Sequence, residues 1–229
     1  MVLARWMLSL TLMLGAALLM ANGAARAATE QELLVLQAET TLSNFLRDPE
    51  MSWLQQNIHR AKAILIAPEV VKAGFIVGGS GGNGVLLARA AKGDRWNGPV
   101  FYTVATASVG FQAGVSVSEM ITLVMTDRGL SSLQQPNFTL GGDVSVAAGP
   151  IGAGKKADVQ SDFISFSRAK GIYGGLNLDG TSISAKDDWN QAYYGKPATP
   201  ADILAGKKGY RNPQAEPLRR AVTQAARRM

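Results

Sequence analysis

The stretch from Gly74 to Arg89, GFIVGGSGGNGVLLAR, decides how the fold of this chain is interpreted. It places six glycines among mostly apolar residues. Such a pattern occurs in phosphate-binding loops, in the turn that carries a nucleophilic serine, and in strands that another part of the chain approaches closely. The rest of the sequence distinguishes these three interpretations.

A dinucleotide-binding loop would rest on residues 79–84, GSGGNG, which match the G-x-G-x-x-G pattern. That site also needs an acidic residue about 20 positions further on, to bind the ribose hydroxyls. Asp94 comes too early and Glu119 too late. A glycine pattern alone is a weak signal, so we do not expect a dinucleotide site.

A serine hydrolase turn would rest on residues 78–82, GGSGG, with Ser80 as the nucleophile. In that fold the histidine base follows the serine along the chain. The single histidine of this chain, His59, precedes it. The sequence therefore excludes a triad in that order.

Other catalytic or metal sites find no support either. The chain has no cysteine and one histidine, which argues against a transition-metal site. A calcium loop around Asp179 would begin at Gly175 and end at Lys186, neither of which is a suitable ligand. Asp187 and Asp188 are adjacent and would not face each other on a helix. We predict a protein that is not an enzyme and needs no cofactor.

The first 27 residues have the pattern of a signal peptide. Arg5 precedes an apolar run, and residues 25–27, ARA, provide the small residues of a cleavage site after Ala27. An uncleaved membrane anchor is the alternative, since residues 6–25 carry no charge. Because no cysteine is available for lipid attachment, we expect an exported protein that is not a lipoprotein. It would be soluble or peripheral, in the periplasm or at the envelope.

The net charge of +6 is concentrated at the C-terminus. Residues 207–229 carry seven basic side chains against Glu216 alone, and we treat them as a basic tail, either a docked helix or a frayed end. A basic tail is weak evidence for nucleic-acid binding in an exported protein, so no nucleic-acid partner is predicted.

Helical patterns dominate the start of the mature chain. Residues 29–32, TEQE, have the form of a capping box, and Leu33, Leu36 and Phe45 follow at helical spacing, which predicts an amphipathic helix over residues 30–46. Asp48 and Pro49 predict the start of a second helix. It would direct Met51, Leu54 and Ile58 inward.

From residue 61 onward, short β-branched or aromatic runs alternate with Gly, Asn and Asp. Asn83-Gly84 and Asp179-Gly180 fit tight hairpin turns. We predict a single α+β domain over residues 28–206, in which N-terminal and short C-terminal helices cover a glycine-rich, mainly antiparallel sheet. The glycines would allow close approach of neighbouring backbone. The predicted strands cover residues 63–67, 74–78, 84–90, 101–106, 114–125, 139–147, 162–168 and 172–178, with short helices at 128–135, 187–194 and from Thr199.

Four blocks in order resemble the signatures of the SYLF family, a lipid-binding domain also found in actin-regulating proteins of eukaryotes. They cover residues 72–90, 140–152, 166–180 and 193–204. The resemblance spans nearly all of the mature chain. It implies a non-enzymatic binding module, and the signal-peptide pattern indicates an exported bacterial member.

The resemblance implies binding of anionic phospholipid at a membrane surface, through basic residues and an apolar helix face. Actin, a cytosolic protein, is not expected as a partner of an exported chain. The alternative is a structural or protein-interaction module whose basic tail docks a protein partner. The residues predicted to contact lipid are Lys62, Lys72, Arg89, Lys92, Arg95 and Trp96.

Overall fold

The computed structural model describes residues 28–74, 77–91, 94–109, 114–152, 160–169, 172–174 and 178–227. Within these residues the chain forms one α+β domain, with helices packed on a mainly antiparallel sheet. The predicted fold class is therefore confirmed. The predicted signal peptide lies outside the described residues.

The N-terminal helix α1 (Glu30–Arg47) begins at the predicted capping box. The Thr29 hydroxyl accepts from the backbone N–H of Glu32, and the Glu32 carboxylate accepts from the backbone N–H of Thr29. The predicted apolar face is only partly correct. Phe45 is buried in the core, but Leu33 and Leu36 are 47% and 59% exposed. The buried residues of α1 are Leu34, Val35, Ala38, Thr41, Leu42 and Phe45.

The second predicted helix is confirmed as a short helical segment. A 3₁₀ turn (Pro49–Met51) capped by Asp48 leads into α2 (Ser52–Asn57) and a further 3₁₀ turn (Ile58–Arg60). Met51, Leu54 and Ile58 are fully buried, as predicted. The later helices are α3 (Asp127–Ser132), α4 (Asp187–Tyr194), α5 (Pro200–Leu204), a 3₁₀ turn (Pro213–Ala215) and α6 (Glu216–Arg227).

The strands are β1 (Ala63–Gly74), β2 (Val77–Arg89), β3 (Trp96–Val109), β4 (Gly114–Val124), β5 (Asn137–Thr139), β6 (Val146–Ala148), β7 (Phe163–Ala169), β8 (Ile172–Gly174) and β9 (Thr181–Ala185). They form one sheet in the order β5-β9-β3-β2-β1-β4-β7-β6, with β8 added to β7. The pairs in this sheet are antiparallel except for β6 with β7.

Both faces of this sheet are covered along much of its length. One face carries Ile64, Val85 and Phe166 against α1, α2 and α6. The other carries Leu65, Leu86 and similar residues, with side chains from α5 and from the connections around β5 and β9. Burial on both faces explains why the central strands have nearly continuous apolar runs rather than strict alternation.

Several predicted strand boundaries were wrong. The strand expected at 74–78 is the end of β1 and the start of β2. The strand expected at 139–147 is two strands, β5 and β6, because residues 140–145 form a turn. β9 was missed, since its small polar residues lack an apolar run. Asp179 and Gly180 do form a turn, but it leads from β8 to β9, which pair with other strands, so it is not a hairpin.

The predicted hairpin turn at Asn83-Gly84 is also wrong, because both residues lie inside β2. Asn83 pairs with Glu69 on one side and with Thr103 on the other. The pairing of β1 with β2 shifts register between Ile66 and Glu69, which places backbone unusually close to β2. Glycine here allows the backbones of β1 and β2 to lie close together and does not form a turn.

Gly82 shows the close approach most clearly. A Cβ atom there would lie 2.1 Å from the carbonyl oxygen of Glu69. At Gly81, the adjacent residue, it would lie 3.7 Å from its nearest neighbour, the carbonyl oxygen of Val104, an ordinary contact. The prediction that glycine admits neighbouring backbone is therefore confirmed at Gly82.

These neighbouring glycines make a matched pair for a stability measurement. We expect Gly82→Ala to lower the free energy of unfolding by about 1–3 kcal/mol, because the new methyl group must displace backbone. We expect Gly81→Ala to change it by less than about 0.5 kcal/mol. Urea unfolding followed by circular dichroism measures both values. Equal effects of the two substitutions would contradict a steric role specific to Gly82.

Candidate functional site: a basic cleft

A cleft of about 380 Å³ opens between the start of β3, the segment after α5, and α6. Among the described residues its lining is strongly basic and contains a single acidic residue, Glu216. Each wall comes from a different part of the chain, so the cleft exists only in the folded protein. The cationic lining residues are Arg95, Lys207, Lys208, Arg211, Arg219 and Arg220.

Arg219 fixes the geometry of this cleft. Its side chain is buried, and its Nε donates to the carbonyl oxygen of Gly98 over 3.0 Å. A second guanidinium nitrogen donates to the same oxygen, and a third lies 2.8 Å from the Glu216 carboxylate. Arg219 therefore ties α6 to the start of β3, and it serves the structure rather than a ligand.

The C-terminal segment is a docked helix, the first of the two alternatives that the sequence left open. Leu218 and Val222 of α6 are fully buried in the same part of the core as residues of α1 and α2. The Asn212 side chain also donates to the carbonyl oxygen of Tyr193 over 3.1 Å. This packing therefore fixes where the basic residues of α6 lie on the folded protein.

Glu216 remains ionised in this setting. Burial acts to raise the pKa of its carboxyl, but the charges of Arg219 and Arg211, with their hydrogen bonds, outweigh burial and hold the pKa below its ordinary value of 4.5. Arg211 contributes an ion pair of 3.0 Å. Glu216 is thus engaged by two of the cations, and Asp202 engages a third, Lys207.

Three cations of the cleft have no carboxylate partner among the described residues: Arg95, Lys208 and Arg220. All three are exposed. Arginine and lysine side chains that line one cleft and have no carboxylate partner can bind an anion, because arginine binds phosphate or carboxylate through paired N–H groups and lysine adds a point charge.

A second cleft, of about 580 Å³, adjoins the first and shares Asn97 and Lys207 with it. Its charges are already paired or bonded: Lys62 lies 2.8 Å from Asp127, and Lys207 pairs with Asp202. Its remaining lining is mainly apolar, from Ala88, Ala90, Ala91, Leu130, Ala201, Leu204 and Ala205. A polar, cationic cavity therefore lies beside a more apolar one.

The predicted lipid contacts at the β2–β3 connection lie at the first cleft. Arg95 is exposed in its lining. Trp96 also lines it, although only 3% of this residue is exposed and its Nε1 has no hydrogen-bond partner among the described residues. Lys92 lies outside the described residues.

The other predicted contacts are divided between the second cleft and the far end of the sheet. Lys62 and Arg89 line the second cleft. Arg89 donates to the carbonyl oxygens of Ala61 and His59, over 3.2 and 2.8 Å, and its guanidinium lies 4.7 Å from the centre of the Trp96 ring. Lys72 is exposed near the opposite end of β1, paired with Ser80.

Sequence reasoning treated the cleft's C-terminal cations as a separate tail. Lys208 and Arg220 lie more than a hundred residues from Arg95 in sequence, and only the docking of α6 brings them together. The available signal was the spacing of Leu218, Val222 and Ala225, which indicates a helix with one apolar face. No sequence pattern indicated which surface that face would meet. In the described part of the chain, no helix combines the length and apolar character required to span a bilayer.

The sequence of this chain matches one protein family and several curated proteins. The family model described as Ysc84, Las17-binding protein actin regulator, matches residues 105–225, which include α6. Protein YSC84 of Saccharomyces cerevisiae is 32% identical over 74% of this chain and 37% of its own length. The human SH3 domain-containing YSC84-like protein 1 is 31% identical over 70% of this chain and 48% of its own.

LAS seventeen-binding protein 3 of S. cerevisiae strain YJM789 is 30% identical over 83% of this chain and 43% of its own length. This chain thus spans less than half the length of these curated relatives. The description of the family and the name of this last relative refer to binding and regulation rather than to catalysis. The resemblance seen in the sequence is confirmed, and the chain belongs to the Ysc84 family, whose shared module is the SYLF domain.

Proposed function

We propose that this protein binds anionic phospholipids, with the phosphate of the headgroup in the basic cleft. The observation that carries the proposal is the set of three exposed cations, Arg95, Lys208 and Arg220, which have no carboxylate partner among the described residues. Phosphate oxygens would supply the missing acceptors.

The strength of this contact follows from membrane electrostatics. Each lysine or arginine near an anionic surface contributes about 1 kcal/mol, and the contribution is screened within a Debye length. The backbone that carries these three side chains is already positioned by the fold, so binding requires ordering of the side chains alone. Binding should therefore be stronger to anionic than to neutral bilayers and should weaken as salt is added.

The neighbouring cleft supports a lipid rather than a free anion. It shares Asn97 and Lys207 with the basic cleft, and alanine and leucine side chains contribute much of its lining. A molecule with a charged headgroup and an apolar portion matches both cavities at once. Leu33 and Leu36, exposed on α1, provide an additional apolar surface on a helix that packs against α6.

We also propose that the protein acts outside the cytoplasm, at a bacterial envelope, and without catalysing a reaction. The signal-peptide pattern of residues 1–27 supports the location. The family description and the name of one relative, which refer to binding, support the absence of a catalytic activity.

Charge reversal in the cleft tests the lipid proposal. We expect K208E/R220E to lower recovery with floated phosphatidylglycerol-containing vesicles by at least about tenfold, because two attractive charges become repulsive. The matched control is R47E/R60E, which makes the same change in net charge at exposed residues that line neither cleft. An equal loss in the control, or no loss in the cleft variant, would refute the proposal.

A second candidate is a protein-interaction module, favoured by relatives named for binding Las17. In this alternative an acidic segment of a partner protein would occupy the same cleft. Deleting residues 207–229 would be a poor test, because Leu218 and Val222 belong to the core. The charge-reversal variant avoids this difficulty, since Lys208 and Arg220 are exposed.

The second candidate predicts a different result from the same variants. We expect a protein captured from native envelope extract to be lost with K208E/R220E and retained with R47E/R60E, because only the first pair faces the cleft. Affinity capture followed by mass spectrometry measures this. If vesicle binding falls while the captured proteins stay the same, the lipid function stands and the protein-binding alternative fails.

A further inference from the structure

An ion pair next to the basic cleft joins two of its walls. The Nη2 of Arg227, in the last turn of α6, lies 3.2 Å from a carboxylate oxygen of Asp94, and its Nε donates to the same oxygen over 3.3 Å. Asp94 lies in the β2–β3 connection beside Arg95, which lines the cleft. The pair therefore links the element that carries Arg220 to the element that carries Arg95.

Arg227 lies on the face of α6 that lines the cleft. An α-helix turns by about 100° per residue, so residues three and seven positions after Arg220 share its face. These residues are Thr223 and Arg227, and both Arg220 and Thr223 line the cleft. At a rise of about 1.5 Å per residue, the backbone of Arg227 lies roughly 10 Å beyond that of Arg220. Arg227 therefore extends the row of cations on this wall by two helical turns.

The ion pair is not needed to hold α6 in place. Leu218, Val222 and Ala225 of this helix are buried in the core. The side chains of Arg227 and Asp94, in contrast, are 65% and 63% exposed. Exposed ion pairs add little to stability, because water screens the charges and two long side chains lose conformational freedom. The pair can therefore open without disturbing the fold.

Asp94 is held less firmly than the other acids near the cleft. The Glu216 carboxylate is engaged by two arginines, and the Asp202 side chain, which pairs with a lysine, is only 29% exposed. Among the described residues, Asp94 forms hydrogen bonds or ion pairs with Arg227 alone. Its negative charge also lies beside Arg95, where it opposes an approaching anion. Asp94 is thus the carboxylate that an incoming phosphate can displace most readily.

We propose that Arg227 is a further anion-binding residue of the cleft, and that Asp94 competes with the lipid phosphate for it. This inference rests on the proposed binding of phospholipid headgroups and identifies a contact that limits its affinity. In the free protein the Arg227 guanidinium engages the Asp94 carboxylate. In the bound protein phosphate oxygens would accept from the same N–H groups, and the Asp94 carboxylate would be left in water.

A membrane surface favours this exchange only when it is anionic. An anionic surface attracts the guanidinium of Arg227 and repels the carboxylate of Asp94, so both effects act to open the pair. A neutral surface supplies no such bias, and the pair stays closed. Breaking the pair takes part of the free energy that the phosphate contact provides. The pair would therefore make the protein discriminate more strongly against weakly charged membranes.

Removal of the competing carboxylate tests this proposal. We expect D94N to lower the concentration of phosphatidylglycerol-containing vesicles needed for half-maximal binding by about threefold to fivefold, because Arg227 becomes available and one repulsive charge is lost. The matched control is D188N, which makes the same change at an exposed residue that lines neither cleft. It should change this concentration by less than about 1.5-fold, because its charge is screened. Vesicle cosedimentation measures both, and equal gains would contradict the proposal.

Double substitutions separate the two causes of the gain. D94N/R227Q should lose most of the gain of D94N, because the released guanidinium is then absent. D94N/R47Q has the same net charge, alters an exposed arginine that lines neither cleft, and should keep most of the gain. If D94N/R227Q binds as tightly as D94N/R47Q, loss of repulsion alone explains the gain and Arg227 is not a binding residue. The urea midpoint of unfolding of D94N should stay close to that of the unsubstituted protein, and a large fall would show that the pair is structural.

The variants of the cleft itself distinguish failure of this inference from failure of the proposed function. If K208E/R220E loses vesicle binding while D94N behaves like D188N, the cleft binds lipid and only the role of Arg227 is refuted. If the unsubstituted protein binds no anionic vesicles, or if K208E/R220E binds them as well as the unsubstituted protein does, both proposals fail.

Discussion

At Gly82 the backbone of β2 comes so close to the carbonyl oxygen of Glu69 that a methyl group would not fit. The organisation of the sheet depends on this close approach, because the register of β1 shifts at the same place. Toward Ala63, side chains on both faces lie in the core. Toward Gly74, one face continues without a cover, and its valines are exposed. Gly82 thus lies at the boundary between the half of the sheet that is buried on both faces and the half that has one exposed face.

A single buried arginine has a comparable role at the other end. Arg219 bonds the carbonyl oxygen of Gly98 and pairs with Glu216, which holds α6 against the start of β3. Together with the burial of Leu218 and Val222, that connection gives Lys208 and Arg220 defined neighbours. The basic cleft is therefore a product of tertiary structure, although each of its charges is visible in the sequence. Arg95, which lines the cleft from the β2–β3 connection, was already predicted from the sequence as a lipid contact.

Local signals were the most reliable guide to this fold. The capping box at Thr29 and the Asp48-Pro49 start could be predicted because their hydrogen bonds form within a few residues. The hairpin turn predicted at Asn83-Gly84 was wrong for the opposite reason. The conformation of these residues is set by pairing with neighbouring strands, where Asn83 lies opposite Glu69 and Thr103. Leu33 and Leu36 fit a helical period, but the face that packs is chosen by the sheet and α6. The candidate cleft required the same long-range information, so only part of it was predictable.

The ion pairs around Glu216 have a consequence for the conditions under which the cleft would operate. Because its neighbouring arginines hold the pKa of this carboxyl below its ordinary value, the only acid among the described lining residues stays charged well into mildly acidic solution. The lone histidine, His59, does not line the cleft. A compartment whose acidity fluctuates between neutral and moderately acid would leave the electrostatic potential there nearly constant. Ionic strength, rather than proton concentration, would then be the environmental variable that sets occupancy.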